Sequence, residues 1–279
     1  MRTITEYLYC DEQAQPVDIV VPISGGKDSQ ACMKLACELR DSSGLHVIGL
    51  FCDTKFEHPW TYKHVEHIEQ LYGVLILQAE STSVETEVLR YKRFPGGGAR
   101  HCTSYLKIRI GKMFYKALAQ MQGCGFEVWY GVRGGESAER SKRYANRVSE
   151  EIMEPHEFMP SKYPKYLGKL GVRIRLPVLE WDSTEVKEYV GDDDLNPLYS
   201  HGFDRVGCFP CLAGGDAWKV KAFEFDDFGR EQYIKVKDIE KRINKSVFTS
   251  GVGKRWEEGK GVQSDEKCDS GSGCSFCAM

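Results

Sequence analysis

The chain has 279 residues, 41% of them hydrophobic, enough for one sizeable α/β core with a small appendage. No apolar run reaches the roughly 18 residues of a membrane-spanning helix, and the opening MRTITEYLYCDEQ lacks the apolar region of a signal peptide, so a cytoplasmic protein is expected. A net charge of −3 gives no global pull toward polyanions, and eleven cysteines in such a chain argue against a disulfide scaffold and toward metal or sulfur chemistry.

Asp18 to Ile23 is a β-branched apolar run with the composition of a buried parallel strand. From Ser29 onward, Ala31, Cys32, Leu35, Ala36 and Leu39 recur at helical spacing, and Asp41-Ser-Ser-Gly44 closes the segment. Between them, SGGKDS (24–29) is a strand-to-helix turn in which unpaired N–H groups and the positive end of the helix dipole create an anion site. Gly25 and Gly26 let the backbone approach an anion, Lys27 adds charge, and Ser24 and Ser29 offer hydroxyls. A Walker A loop would need Gly where Val21 stands and Ser or Thr where Asp28 stands, and G-x-G-x-x-G is absent. Both common nucleotide loops are excluded.

Alternation continues down the chain. His46 to Cys52 reads as a second strand, Tyr62 to Leu71 as a helix and Val74 to Gln78 as a third strand. Thr82-Ser-Val-Glu85 is spelled as a capping box, Tyr105 to Met121 as a long helix, and Phe126 to Val132 as a fourth strand. Val172 to Val178 is the fifth, followed by Asp182-Ser-Thr-Glu185 capping a last helix. The pattern predicts an α/β fold, a doubly wound parallel five-stranded sheet with ligands at the strands' C-terminal ends. Residues 1–215 are expected to form the nucleotide-binding domain. Residues 216–279 are expected to form a helical segment and a Cys-containing tail, loose from about Gly251 and ending in CSFCAM.

SGGKDS resembles the PP-loop of the adenine-nucleotide α-hydrolase superfamily, whose members cleave ATP between the α and β phosphates. FCDTKFEHPWTY (51–62), ARHCTSYLKI (99–108), GVRGGESAER (131–140) and NPLYSHGFDRVGCFPC (196–211) resemble, in order, elements of its 3′-phosphoadenylylsulfate reductase branch. The resemblance implies an adenine-nucleotide α-hydrolase-like sheet and an ATP site on Ser24, Gly25, Gly26, Lys27, Asp28 and Ser29. Asp28 would hold Mg²⁺ or orient Lys27, Asp53 would reach the ribose or adenine unless it merely ends a strand, and Arg133 would neutralise a phosphate or sulfo group. Arg140 reads equally as a site residue or a surface charge; Arg100 and Lys107 flank Cys102 and can supply positive charge there.

Cys102, Cys208 and Cys211 match cysteines that hold a 4Fe–4S cluster in iron–sulfur members of the branch. Those members carry a Cys-Cys pair where this chain has His101-Cys102, leaving the fourth iron open, held by His101, or reached by a tail cysteine. Zn²⁺ on Cys208, Cys211, Cys274 and Cys277 is the rival. The C-terminal Glu-Cys-Gly-Leu/Ile-His motif of the reductases is missing. The motif set thus looks like the ATP pyrophosphatases of DNA phosphorothioation systems, with a cysteine desulfurase as sulfur donor and DNA or a DNA-bound protein as partner. Alternatives are assimilatory sulfonucleotide reduction and a nucleotide-binding regulator without turnover.

Several other residues are read as structural. Cys32, Cys37 and Cys52 are expected to be buried small hydrophobes, and His58, His64 and His67 are not expected to bind metal. The basic stretch from 141 to 175, with Tyr163 and Tyr166 interleaved, fits either a nucleic-acid backbone or a solvated connector. Cys274 and Cys277 are read as a sulfur relay, a cluster ligand, or incidental thiols.

Overall fold

The apolar runs assemble into one parallel sheet in a computed structural model that describes residues 1–10, 15–96 and 100–260. Its strands are β1 (Arg2–Thr3), β2 (Ile19–Ile23), β3 (Val47–Cys52), β4 (Leu75–Ala79), β5 (Glu127–Trp129) and β6 (Arg173–Arg175), in the order β1-β4-β3-β2-β5-β6. All five expected strands are present. The sixth, β1, pairs Arg2 with Leu77 and Thr3 with Gln78; two residues are too few to carry a periodic signal, so only the tertiary pairing reveals it. Beyond Trp129 and Arg175 the chain leaves the ladder earlier than its apolar composition suggested.

Helices in chain order are α1 (Ile4–Cys10), α2 (Lys27–Ser43), α3 (Pro59–Leu71), α4 (Val84–Tyr91), α5 (His101–Thr103) and α6 (Arg109–Gln122). They continue with α7 (Ala138–Arg143), α8 (Pro155–Phe158), α9 (Lys165–Lys169), α10 (Ser183–Val190), α11 (Asp216–Phe225), α12 (Asp227–Ile243) and α13 (Gly251–Glu257). On one sheet face, Val20, Leu50, Leu77 and Val128 pack against Tyr7 of α1, Tyr115 and Leu118 of α6, Phe158 of α8 and Leu167 of α9. On the other, Val21, Phe51 and Ile76 meet Ala31 and Cys32 of α2, Val65 and Ile68 of α3, and Val186 and Val190 of α10. The sheet is doubly wound, and both strand faces are dry, which explains the unbroken apolar runs.

Four local expectations need correction. Helix α4 is capped by Ser83, which accepts from Thr86 N at 3.1 Å, whereas the Thr82 hydroxyl turns to Glu87 at 2.9 Å. The long helix opens with a π-helical stretch, Ser104–Ile108, that joins α5 to α6. The Asp182 capping box is present, with Asp182 Oδ1 accepting from Glu185 N at 2.9 Å and Asp182 N donating back to Glu185 at 2.6 Å, but among the described residues α10 is not the last helix, being followed by α11, α12 and α13. The chain is also not loose from Gly251. Ser250 caps α13, and Trp256 stacks on Phe223 of α11 (6.1 Å between ring centres) against an apolar cluster that includes Val236 and Ile239 of α12 and Val84 and Val88 of α4. Asp216 anchors this end by accepting from Thr249 N and Ser250 N. Cys268, Cys274 and Cys277 lie outside the described residues. Among the described residues no helix is long and apolar enough to cross a membrane.

Candidate active site

Strand order places the site. Chain connections from β2 run toward β3 and those from β5 run toward β6, so the loops after β2 and β5 face each other across the switch point of the sheet. The two loops touch backbone to backbone: a Cβ on Gly131 would come within 2.6 Å of the Asp28 carbonyl and Ser29 N. Only glycine fits there.

Residues 24–29 form a tight turn. Gly25 sits at φ +74°, Gly26 is the N-cap of α2, and the Ser29 hydroxyl donates to Gly26 O at 2.8 Å while accepting from Ser24 N at 3.2 Å. Lys27 is 5% exposed, and burial pushes its pKa down against the opposing pull of Asp28. Its ammonium lies 3.5 Å from Asp28 Oδ1, which also accepts from Arg133 Nε at 2.6 Å. Asp28 therefore orients both cations.

Residues 196–206 form the opposite wall. Asn196 donates to Gly25 O at 3.2 Å, and the Tyr199 hydroxyl accepts from Lys27 N at 3.0 Å. The resulting cleft has a volume of about 330 Å³; Lys27, Arg133, Lys187 and Arg205 supply its positive charge, and Asp28, Glu136 and Asp204 its negative charge. Arg140, read equally as a site residue or a surface charge, is 1% exposed and pairs with Glu136, which lines the cleft. Asp53 does not line this cleft. Its carboxylate accepts from Tyr62 OH (2.7 Å), Lys55 N (2.7 Å) and Gln78 Nε2 (3.0 Å), fixing the loop after β3.

Cys102, Cys208 and Cys211 line a second, smaller cavity of about 40 Å³, together with Arg100, Lys107 and Thr54. Arg205 and Val206 line both cavities, so the anion cleft and the thiol pocket share a wall. Cys208 is held by a bridge to Glu57; its thiol lies 3.2 Å from the Thr54 hydroxyl and donates toward Glu57 Oε1 at 3.9 Å. Burial, then the Glu57 charge, pushes the Cys208 thiol well up, with Lys107 opposing. Glu57 is itself raised by burial and accepts from the Thr54 hydroxyl at 2.6 Å.

Among the described residues, no three His, Cys, Asp or Glu side chains converge into a metal-ion site. Three thiols facing one cavity lined also by Arg100, Lys107 and Arg205 are nevertheless a soft donor set in cationic surroundings, which suits iron–sulfur ligation better than a hard cation. His101 is not on this cavity; it stacks on Tyr91 at 4.7 Å between ring centres.

The residues read as structural have the following surroundings. Cys32, Cys37 and Cys52 are buried, with burial raising Cys37 to about 11 and Cys52 to about 12. His58 bonds to Asp226, His64 to Gln30 and His67 to Asp194, three separate partners. In the basic stretch, Tyr163 is buried and bonded to Tyr130 at 2.6 Å, and all four arginines are ion-paired: Arg143 with Glu139, Arg147 with Glu151, Arg173 with Glu154 and Arg175 with Glu127. That pairing favours the connector reading over a phosphate-binding patch. Sequence reasoning missed Tyr199, Arg205 and Glu57. The first two lie inside the quoted NPLYSHGFDRVGCFPC, and Glu57 inside FCDTKFEHPWTY, but only the fold shows what they touch.

A parallel sheet with a glycine turn opening a helix at its switch point defines an α/β fold of the doubly wound type. Residues 18–213 match the phosphoadenosine phosphosulfate reductase domain, and the chain belongs to that family. It is 28% identical over 207 residues to an uncharacterised protein of Methanocaldococcus jannaschii, covering 73% of this chain and 38% of that protein. It is 23% identical over 169 residues to the adenosine 5′-phosphosulfate reductase of Rhodococcus erythropolis, covering 59% of this chain and 58% of that enzyme. The chain thus spans about two fifths of the length of the first of these relatives and under two thirds of the second. The phosphate complex of the phosphoadenylyl-sulfate reductase from Candida auris superposes with a TM-score of 0.45 at 17% identity, covering 75% of this chain and 89% of that one.

Proposed function

We propose that the chain is a pyrophosphate-releasing ATP pyrophosphatase that adenylylates an acceptor for sulfur insertion, the acceptor being the DNA backbone of a phosphorothioation system. The observation that supports this reading is the wall shared by the charged cleft and the three-thiol pocket, an arrangement suited to activation and sulfur chemistry in adjoining sites. In this reading the turn from Ser24 to Ser29 holds the departing pyrophosphate. Asp28 is the carboxylate available to Mg²⁺, and Arg133 offsets charge developing at the α-phosphate. An acceptor oxygen attacks the α-phosphorus, the bond to the bridging oxygen breaks, and pyrophosphate leaves with the electron pair. Sulfur from a cysteine desulfurase, carried as a persulfide and reduced to sulfide by two electrons from an external thiol reductant, then attacks the activated phosphorus; the P–O bond to AMP breaks and AMP leaves with the electron pair. Cys102, Cys208 and Cys211 are the residues that would hold a 4Fe–4S cluster, and such a cluster would supply sulfide-binding and redox chemistry beside the cleft.

The second reading, sulfonucleotide reduction, draws on the family's description and on the named function of the Rhodococcus relative. Against it stands the His101-Cys102 pair where the iron–sulfur reductases carry Cys-Cys. Product analysis separates the readings. Pyrophosphate formed from Mg-ATP supports activation; sulfite formed from a sulfonucleotide without ATP consumption overturns it.

A further inference from the structure

The segment from Asn196 to Cys211 ties the two cavities together. Asn196 and Tyr199 bond the anion-binding turn, Cys208 and Cys211 face the thiol pocket, and Arg205 lies between them on the common wall. The Arg205 guanidinium stands 3.8 Å from Glu136 Oε1 and is 31% exposed. The other Glu136 oxygen is taken by the fully buried Arg140. Glu136 is thus fixed by one arginine and only loosely engaged by the other. A guanidinium presents paired donors suited to phosphoryl and sulfo oxygens, and an oxyanion arriving between the cavities competes directly with the Glu136 carboxylate.

We propose that Arg205 holds the oxyanion of the activated group, a phosphoryl or sulfo oxygen, at the junction where it faces both the nucleotide site and the thiols, with the Glu136 carboxylate 3.8 Å away as a competitor for its guanidinium. The inference rests on the shared-wall reading of the site. It makes Arg205 a residue that touches substrate, whereas Asn196 and Tyr199 position the turn.

Arg205→Gln and Arg205→Lys variants of the full chain test this with two readouts. In the first, ATP and adenosine 5′-phosphosulfate are titrated by calorimetry, with inorganic pyrophosphate as the probe of the Ser24–Ser29 turn alone. In the second, the aerobically purified chain is alkylated with iodoacetate and with iodoacetamide, and the rates at Cys102, Cys208 and Cys211 are read by mass spectrometry. Their ratio cancels the thiolate fraction and reports the local preference for an anion. In Arg205→Gln, affinity for whichever nucleotide the wild type binds should fall about tenfold, as expected for a lost charge-assisted bond, while pyrophosphate affinity stays within about twofold. The iodoacetate-to-iodoacetamide ratio should fall about threefold, and Arg205→Lys should recover part of both effects. An unchanged ratio, or equal loss of pyrophosphate and nucleotide, overturns the role of Arg205. A wild type that binds only the phosphosulfate overturns the ATP reading but supports the inference if that affinity drops in Arg205→Gln; a wild type that binds neither overturns both.

Discussion

Asp28 shows what a motif letter leaves out. By type it is a poor neighbour for phosphate, yet its Oδ1 engages both Lys27 and Arg133, so it aims two cations into the cleft. A buried histidine gives this scale a pH test. Burial lowers His64 to about 4, its Nε2 lies 2.9 Å from Gln30 Oε1, and His67 and Asp194 are the charged groups acting on it. A histidine depressed on folding contributes stability that is present above its unfolded value near 6.5 and is lost as pH falls toward 4. Between pH 7 and pH 5 the wild type should lose about 2 kcal/mol through this group. Urea melts of wild type and His64→Gln check it, and an equal pH slope in the two proteins contradicts it. At this scale the strand-to-helix turn at SGGKDS was legible, because turn chemistry is written locally, and the three cysteines it was read beside do line one cavity. Glu57, Tyr199 and Arg205 were not, because each acquires its partner from a segment at least 60 positions away.

Among elements, the joint between the β2 and β5 loops fixes the shape of the Ser24–Ser29 turn. Gly131→Ala would drive a Cβ into the Asp28 carbonyl and Ser29 N at 2.6 Å, where backbone on both sides leaves nothing flexible to yield. The substitution should cost about 1–3 kcal/mol through overpacking and reduce pyrophosphate affinity more than tenfold by displacing the first turn of α2. Calorimetry and thermal melts of Gly131→Ala read both effects; wild-type affinity would show that the turn tolerates displacement. Strand runs were legible because a doubly buried parallel strand is apolar on both faces, and Asp182 was legible because a capping box is a local pattern. Thr82 and Ser83 offer the same hydroxyl one position apart, so spelling could not choose between them. The fold of α13 depends on Trp256 finding Phe223, a contact invisible in a stretch rich in Gly, Lys and Glu.

For the whole molecule, the central claim is that an ATP-activating site and a thiol site share one wall. The cluster half of that claim predicts a brown protein after anaerobic purification, with iron content falling by more than half in Cys102→Ser and in Cys208→Ser. Unchanged iron in both variants, or zinc alone, removes the cluster. The same measurement on a chain lacking residues 268–279 decides whether the terminal cysteines lend a ligand. The activation half is tested most directly by pyrophosphate release from Mg-ATP in wild type and Lys27→Ala. Lys27 is buried at the N-terminus of α2 with its backbone N–H already engaged by Tyr199, so truncating its side chain removes charge from the cleft while leaving that backbone contact. The account predicts release by the wild type and at least about a hundredfold less from Lys27→Ala, the scale of losing one transition-state contact, with an unchanged circular dichroism spectrum. Undiminished release in the variant, or none in the wild type under any acceptor, would contradict it.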